Sequence, residues 1–134
     1  MSDETLPEAH LAIRLAKEGR LSGKDMLGYL VAGKITVPLT EPPRIENGKI
    51  ADWHPATASR EDGTHWLIAF TLPEMASAFG DVETQYGFYM TVDTRWVLER
   101  LPPQFGIVFN LRSEEMFEWK AEGLGKYKKD FLGG

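Results

Sequence analysis

The sequence of 134 residues contains no cysteine and only three histidines. Without cysteine, the chain can form no disulfide, no thiolate metal site and no cysteine nucleophile. The histidines are His10, His54 and His65; no two of them are spaced to share a helical face, and no HExxH pattern occurs. We therefore expect neither a metal site nor a bound cofactor.

Long apolar runs are also missing. No apolar run approaches the roughly 18 residues that a membrane span requires. Residues 1–5 are acidic and lack the basic and apolar regions of a secretory signal. Together with the lack of cysteine, these absences predict a cytoplasmic protein that does not enter a membrane.

The net charge of −5 is concentrated in the middle of the chain. Residues 34–93 carry four basic and nine acidic side chains and so account for the whole net charge. An acidic segment of this kind disfavours binding to a nucleic-acid backbone and favours a basic protein partner. A solvated acidic surface without a partner is the alternative interpretation.

The composition and the order of patterned segments predict a single α+β domain, with α/β-like character, over residues 1–134. Hydrophobic residues make up 43% and charged residues 26% of the chain, which is typical of a globular protein. Helices and strands alternate, and about five strands are expected to form a mixed sheet on which the helices pack. Apolar residues at helical spacing predict helices near 6–18, 22–33, 71–80 and 94–101, and apolar or alternating runs predict strands at 34–39, 50–54, 66–70, 88–92 and 106–110.

Proline and glycine positions refine two of these predictions. Pro38 cannot donate a ladder hydrogen bond, so the strand at 34–39 is expected at a sheet edge or to end there. Residues 40–48 contain two prolines and an Asn-Gly pair and are predicted to form a loop. Asp-Gly within residues 60–63 predicts a hairpin turn.

The C-terminal part, residues 113–132, fits two arrangements. One is a single long helix, and the other is a strand at 116–120 followed by a helix from about 123 to 132. Gly123 and Gly125 would each weaken a long helix by about 1 kcal/mol. We therefore favour the strand followed by the helix.

The stretch Trp66–Glu74 is the most strongly patterned part of the chain. Its first five residues form an unbroken apolar run, which is typical of a strand covered on both faces. Thr71 and Glu74 are spaced as a capping box, in which a hydroxyl and a carboxylate satisfy free backbone N–H groups at a helix start. A buried strand that leads directly into a capped helix is predicted here.

Three short motifs occur together and resemble one known family. They are Val37-Pro38-Leu39 after two helices, Ala69-Phe70-Thr71 leading to Glu74, and Gly106–Asn110 after a helix that ends in proline. In this combination the chain resembles the N-terminal domain of the SseB (enhanced serine sensitivity) family over about residues 10–125. In that family the last strand is commonly followed by Asn-Pro-Gly, whereas Asn110 is followed here by Leu111 and Arg112.

The resemblance implies a small bacterial domain of the cytoplasm without established catalytic residues. It also implies a setting near secretion, toxin or stress-related systems. No nucleophile elbow surrounds any serine, and a triad of Ser59, His65 and Asp62 can be assembled only on paper. We therefore predict no catalytic residue and a domain that works by protein contact, one form of which is an immunity or regulatory protein.

Aromatic and acidic residues in the middle segment are the candidates for partner binding. Trp53 lies in a weakly patterned segment between Asp52 and His54, so it has less reason to be buried than Trp66 and Trp96, which fall on predicted core faces. An accessible tryptophan is a favourable interface anchor, because it buries a large area at low entropic cost. With Glu61 and Asp62 of the predicted turn, these residues form the predicted partner-binding surface; packing of Trp53 against the core is the alternative.

The second functional hypothesis is a pocket for a small molecule. Thr71, Asp93 and Asn110 each follow a predicted strand, and open α/β sheets bind ligands at the carboxyl ends of their strands. Each of these residues also has a structural interpretation as a cap or turn residue. Their value as a site depends on whether the fold brings them together.

Overall fold

The computed structural model describes residues 7–82 and 87–132. Helices and strands alternate as the sequence predicted only over residues 65–109; before residue 65, two helices are followed by four strands. The helices are α1 (Glu8–Lys17), α2 (Gly23–Ala32), α3 (Pro73–Val82), α4 (Thr94–Arg100) and α5 (Ala121–Phe131). The strands are β1 (Lys34–Leu39), β2 (Arg44–Glu46), β3 (Lys49–Asp52), β4 (Thr57–Ser59), β5 (His65–Ala69), β6 (Phe88–Asp93), β7 (Phe105–Phe109) and β8 (Phe117–Trp119).

Strands β4, β5, β7 and β8 together with β1 and β6 form one mixed sheet platform, and β2 and β3 form a separate hairpin. Strands β4, β5, β7 and β8 form a sheet in that order, in which β5 and β7 are parallel and the other neighbours are antiparallel. Strands β1 and β6 pair antiparallel over their full length, and isolated bridges Thr36–Phe70 and Leu39–Pro55 join this pair to the larger sheet. The predicted α+β architecture with a mixed sheet is confirmed.

Alternate residues of the central strands face two different cores. On one face, Leu67 and Ile107 pack with residues of α1, α2, α4 and α5. On the other face, Ile68 and Val108 pack with Ala76 of α3. Since a strand residue points to the face opposite its neighbours, both faces of β5 and β7 are covered, which explains their unbroken apolar runs.

The segment 40–52 differs from its prediction. Residues 44–46 form β2, which pairs with β3, although residues 40–48 were predicted to form a loop. Asn47 and Gly48 both have positive φ, at 53° and 76°, and so make a two-residue hairpin turn. The Asn-Gly pair is the usual sequence signal for such a turn, and its interpretation as a general loop was wrong.

Strand β1 lies between β6 and the larger sheet and ends at Leu39, one residue after Pro38. Of the two predictions for Pro38, a sheet edge or the end of the strand, the first was wrong and the second agrees with the structure. Thr36 exchanges backbone hydrogen bonds of 2.8 Å with Phe70, and the Pro38 carbonyl accepts a hydrogen bond from the Ala56 amide. The backbone groups of Thr36 and Pro38 therefore face away from β6. Proline is tolerated because its missing N–H lies on the side where β1 makes only isolated bridges.

Two further details concern the later part of the chain. The strand-then-helix arrangement of residues 113–132 is confirmed, since β8 and α5 occupy it, although α5 begins at Ala121 and contains both glycines. Strand β4 was not predicted, and it is the partner of β5, with Ser59 opposite His65.

Gly106 of β7 permits close packing against β5. It lies opposite Trp66 in the parallel β5–β7 register. A Cβ atom at this position would come within 2.7 Å of the Trp119 carbonyl oxygen and within 2.7 Å of the Trp66 ring. The absence of a side chain lets the indole lie across β7.

We predict that Gly106→Ala lowers the free energy of unfolding by about 1–3 kcal/mol, because the backbone and an indole ring must both move. Gly125→Ala is the matched control: Gly125 lies within α5 with open space around it. That substitution is expected to raise stability by about 0.5–1 kcal/mol. Urea unfolding of the three proteins measures both effects, and an unchanged midpoint for Gly106→Ala would contradict the packing described here.

Candidate functional site

A buried polar network lies where the parallel strands β5 and β7 end. Asn110 directly follows β7, Thr71 follows β5 by two residues, and both are buried. The Thr71 amide donates to Asn110 Oδ1 at 2.9 Å, and Asn110 Nδ2 donates to Thr71 Oγ1 at 2.9 Å. The two side chains, each predicted to follow a strand end, therefore meet directly.

His10 of α1 completes this network. Its Nδ1 lies 2.6 Å from Thr71 Oγ1, and the side chain is almost fully buried. Its Nε2 lies 3.6 Å from Glu115 Oε1. In the neutral ring, a proton on Nε2 points at the carboxylate and leaves Nδ1 to accept the Thr71 hydroxyl proton. Sequence reasoning missed His10, because an apolar helix face gives no sign of a polar partner 61 positions away.

The turn after β7 supplies the remaining partners. Asn110 Nδ2 also donates to the Glu115 carbonyl oxygen at 3.1 Å, and the Ser113 hydroxyl donates to the Asn110 carbonyl oxygen at 2.8 Å. Arg14 of α1 donates through Nη2 to Glu115 Oε1 at 2.9 Å. The turn is thus tied to both α1 and the strand ends.

Asn110 and Arg112 in this turn have positive φ, at 56° and 67°. Asparagine adopts this conformation more readily than most residues, whereas for arginine it is strained. Arg112 stands where the Asn-Pro-Gly pattern of the resembled family has glycine. The chain keeps the backbone conformation that glycine would favour but accepts a side chain there.

The network changes the interpretation of Thr71. Helix α3 begins at Pro73, and Thr71 uses its hydroxyl on His10 and Asn110. The predicted capping box of Thr71 and Glu74 was therefore wrong. A long-range hydrogen bond replaced the local one, which sequence spacing alone cannot reveal.

The three predicted pocket residues do not line one cavity. Thr71 borders a cleft of about 360 Å³ whose lining includes Lys34, Thr36 and Thr91. Asn110 is fully buried in the network, and Asp93 lies at the end of β6 opposite Lys34. Only the first of the three faces this cleft.

The predicted partner-binding residues fall into two groups at opposite ends of β4. Glu61 and Asp62 lie in the turn between β4 and β5, where Asp62 Oδ1 accepts from both the amide and the hydroxyl of Thr64. Asp52 and His54 lie before β4. The fold therefore separates a surface that the sequence treated as one.

Asp52 and His54 lie beside Glu41, a residue that sequence reasoning missed. His54 Nε2 lies 2.7 Å from Glu41 Oε1 and 3.3 Å from Asp52 Oδ2. All three side chains are about half exposed, at 46%, 57% and 50% respectively. Glu41 reaches His54 because the Thr40 amide bonds to the His54 carbonyl oxygen, a pairing with no local sequence signal.

Trp53 is partly buried beside this group. Its ring makes an edge contact with Trp96, with centroids 5.0 Å apart, and it packs against the larger core. The alternative interpretation, packing against the core, therefore describes much of its side chain. The side chain is nevertheless only partly buried, so part of it stays accessible.

Ser59, His65 and Asp62 do not form a catalytic triad. Ser59 Oγ lies 2.8 Å from His65 Nδ1 on the exposed face of the hairpin. Asp62, its third member, bonds to Thr64 instead. Among residues 7–82 and 87–132, no group of three or more metal-ligating side chains is arranged around a common point. Within the same residues, no helix is both long and apolar enough to cross a membrane.

The protonation of His10 follows from its surroundings. Burial lowers the pKa of His10 below its ordinary value of 6.5, the Glu115 carboxylate opposes this shift, and the Arg14 guanidinium reinforces it. Burial alone would raise the pKa of Glu115, but the Arg14 hydrogen bond and nearby positive charge bring it below its usual value. The site therefore holds a neutral imidazole beside an ionised carboxylate.

Comparison with protein-family models finds a match. The model described as "SseB protein N-terminal domain" matches residues 8–125, which include every helix and strand described above except the end of α5. The comparison with curated proteins and the comparison with solved structures each found no match.

The neutral state of His10 predicts a pH-dependent stability. Below about pH 6.5 the unfolded chain takes up a proton at His10 that the folded chain resists, so stability falls as the pH decreases below that value. The slope can reach about 1.4 kcal/mol per pH unit for one proton. Urea unfolding between about pH 7.5 and pH 5 measures this slope. Both pH values lie above the pKa of ordinary carboxyl groups, which is about 4.

His10→Gln should flatten this dependence, whereas His65→Gln, at an exposed histidine, should keep the wild-type slope. If the wild-type protein and His10→Gln lose stability equally over that range, His10 does not have the proposed protonation state. An NMR titration of the His10 ring gives a direct check.

Proposed function

The chain belongs to the SseB N-terminal domain family, and from this premise we propose that it is a non-catalytic domain that binds a protein partner. The binding surface that we propose consists of Glu41, Asp52, His54 and the exposed part of Trp53, and we name it the acidic corner. The partner presents a lysine or arginine to this surface.

The observation that carries the proposal is the convergence of two exposed carboxylates on one imidazole. Glu41 and Asp52 approach the same His54 nitrogen at 2.7 and 3.3 Å. One imidazole proton can serve only one of these carboxylates well, so the pair keeps unsatisfied acceptor capacity. A guanidinium or ammonium group of a partner would satisfy it with charge-assisted hydrogen bonds.

The acidic corner is held rigidly, which lowers the entropic cost of binding. Asp52 Oδ1 accepts a hydrogen bond from the Trp53 amide at 3.0 Å, and Trp53 packs on Trp96. The Thr40 amide bonds to the His54 carbonyl oxygen at 2.8 Å, which joins the loop that carries Glu41 to the other residues. An aromatic ring within an acidic surface is a typical anchor for a protein interface.

The buried network supports a non-catalytic role. Thr71 bonds to His10 and Asn110, and Asn110 bonds to Thr71 and to the Glu115 carbonyl oxygen, so their polar groups are satisfied inside the protein. A nucleophile or general base would need to reach a substrate. These residues are better explained as the connection between α1 and the strand ends.

One form of this function is that of an immunity or regulatory protein in a bacterial cytoplasm, in which the acidic corner covers a basic site on another protein. The second candidate is the binding of a small molecule in the cleft beside Lys34 and Thr71, favoured by the cleft's volume of about 360 Å³. The acidic corner does not border that cleft, so the two proposals predict different sensitive residues.

The experiment compares capture of host proteins by the wild-type domain and by Glu41→Gln/Asp52→Asn, at low and high salt. We expect a specific protein to bind the wild-type domain at low salt and to bind the double variant at least about tenfold more weakly, since one buried charge-assisted contact is worth this much. Glu18→Gln/Glu99→Gln, which neutralises two exposed carboxylates elsewhere, should bind as the wild type does.

Equal capture by all three proteins, or no specific capture at either salt concentration, would contradict the proposal. Thermal stabilisation by a small molecule that is lost in Lys34→Ala, with no captured protein, would instead support the cleft.

A further inference from the structure

Strand β6 is an edge strand of the platform that lacks protecting features. Among the described residues it pairs only with β1, and its sequence, Phe-Tyr-Met-Thr-Val-Asp, has no charge before Asp93. Phe88 and Tyr89 are 47% and 48% exposed, although both are large and apolar or aromatic. A long, uncharged edge strand is a template for pairing with another strand.

The hydrogen bonds of β1 determine which backbone groups of β6 are free. Thr36 exchanges both of its backbone bonds with Phe70, so its pairing with Thr91 is of the non-hydrogen-bonded kind. The 2.8 Å contact between the Thr36 and Thr91 hydroxyls fits the closer side chains of such a pair. Along an antiparallel strand these pairs alternate, so Tyr89 and Thr91 direct their N–H and C=O groups outward.

The opposite edge of the platform is protected in ways that β6 is not. Strand β8 has only three residues, and its central Glu118 is ion-paired with Arg60. Natural sheets protect edges by short strands, charges, prolines or bulges. Strand β6 has six residues, no proline, no lysine and an unbroken register with β1. The contrast points to β6 as an edge that is used.

We infer that β6 pairs antiparallel with β6 of a second copy of this chain, about a two-fold axis perpendicular to the sheet. Such an axis joins the two sheets with the same face on the same side. The even-numbered residues of β6 share one face, so they lie opposite even-numbered residues of the second copy. A register centred on Met90 fulfils this condition. It places Tyr89 opposite Thr91 of the second copy, and these two exchange their free backbone bonds.

This register explains the exposed aromatic residues. Phe88 comes opposite Val92 of the second copy on the face that Met90 and Val92 already share with the larger core. Tyr89 packs beside Thr91 of the second copy on the other face. An antiparallel strand is complementary to itself, so a second copy is the partner that this uncharged edge fits.

The charges also permit the pairing. Asp93 would face Gly87 of the second copy instead of another carboxylate, and Lys34 lies opposite Asp93 within the same chain. The net charge of −5 is thus not concentrated at the contact. This pairing does not use the acidic corner and holds whether or not that surface binds a partner.

Sedimentation equilibrium of the full chain over a range of concentrations tests the inference. The wild-type protein should show a dimer whose fraction rises with concentration. Tyr89→Pro removes one outward N–H from each copy and should weaken the dimer by at least about tenfold, and Tyr89→Lys should weaken it through a charge on the edge. Tyr29→Lys is the matched control, because Tyr29 is equally exposed, at 47%, but lies on α2.

The inference is overturned if the wild-type chain is monomeric at every concentration, or if both Tyr89 variants, folded by circular dichroism, keep the wild-type mass. Should Tyr89→Pro fail to fold, hydrogen exchange in the wild-type protein decides. Exchange at the Tyr89 and Thr91 amides should slow as concentration rises, and exchange rates independent of concentration would overturn the pairing.

Discussion

The structure depends on the buried hydrogen bonds among His10, Thr71 and Asn110. These groups come from α1, the end of β5 and the end of β7; all three are buried, and Thr71 bonds to both of the others. A buried polar group without a partner costs roughly 1–3 kcal/mol, so no member can move without exposing the others to that cost. The network therefore sets the position of the first helix against the two parallel strands, and the glycine-lined contact of Trp66 sets the strands against each other.

This constraint assigns different roles to the inside and the surface of the domain. The polar residues at the strand ends, where an α/β sheet often carries a ligand site, stabilise the fold here. Two sets of groups with free hydrogen-bonding capacity lie at the surface: the carboxylates of the acidic corner and the outward amides of β6. These two surfaces adjoin, because Glu41 follows β1 by two residues and the last residue of β1 lies opposite Phe88. We propose that both surfaces contact other macromolecules.

Local signals in the sequence predicted most of the elements, but tertiary hydrogen bonds decided the site. The apolar runs at 66–70 and 106–110 predicted central strands correctly. The strand before α5 was also predicted, although Gly123 and Gly125 lie inside α5 and not at its start. The sequence left Pro38 either at a sheet edge or at the end of its strand, because the compatibility of proline with an inner strand depends on which side its missing N–H faces. Thr71 matched a local capping pattern, yet its hydroxyl bonds to a helix 61 positions away, and Glu41 joined His54 through a loop contact that no spacing rule describes.

A double-mutant cycle between His10 and Thr71 tests most directly whether their buried contact stabilises the fold. The free energies of unfolding of Thr71→Val, His10→Leu and the double variant are compared with that of the wild type at neutral pH. If the two side chains are coupled, the stability loss of the double variant is smaller than the sum of the two single losses by at least about 1 kcal/mol. Additivity of the two losses within about 0.3–0.5 kcal/mol would contradict the role of this network.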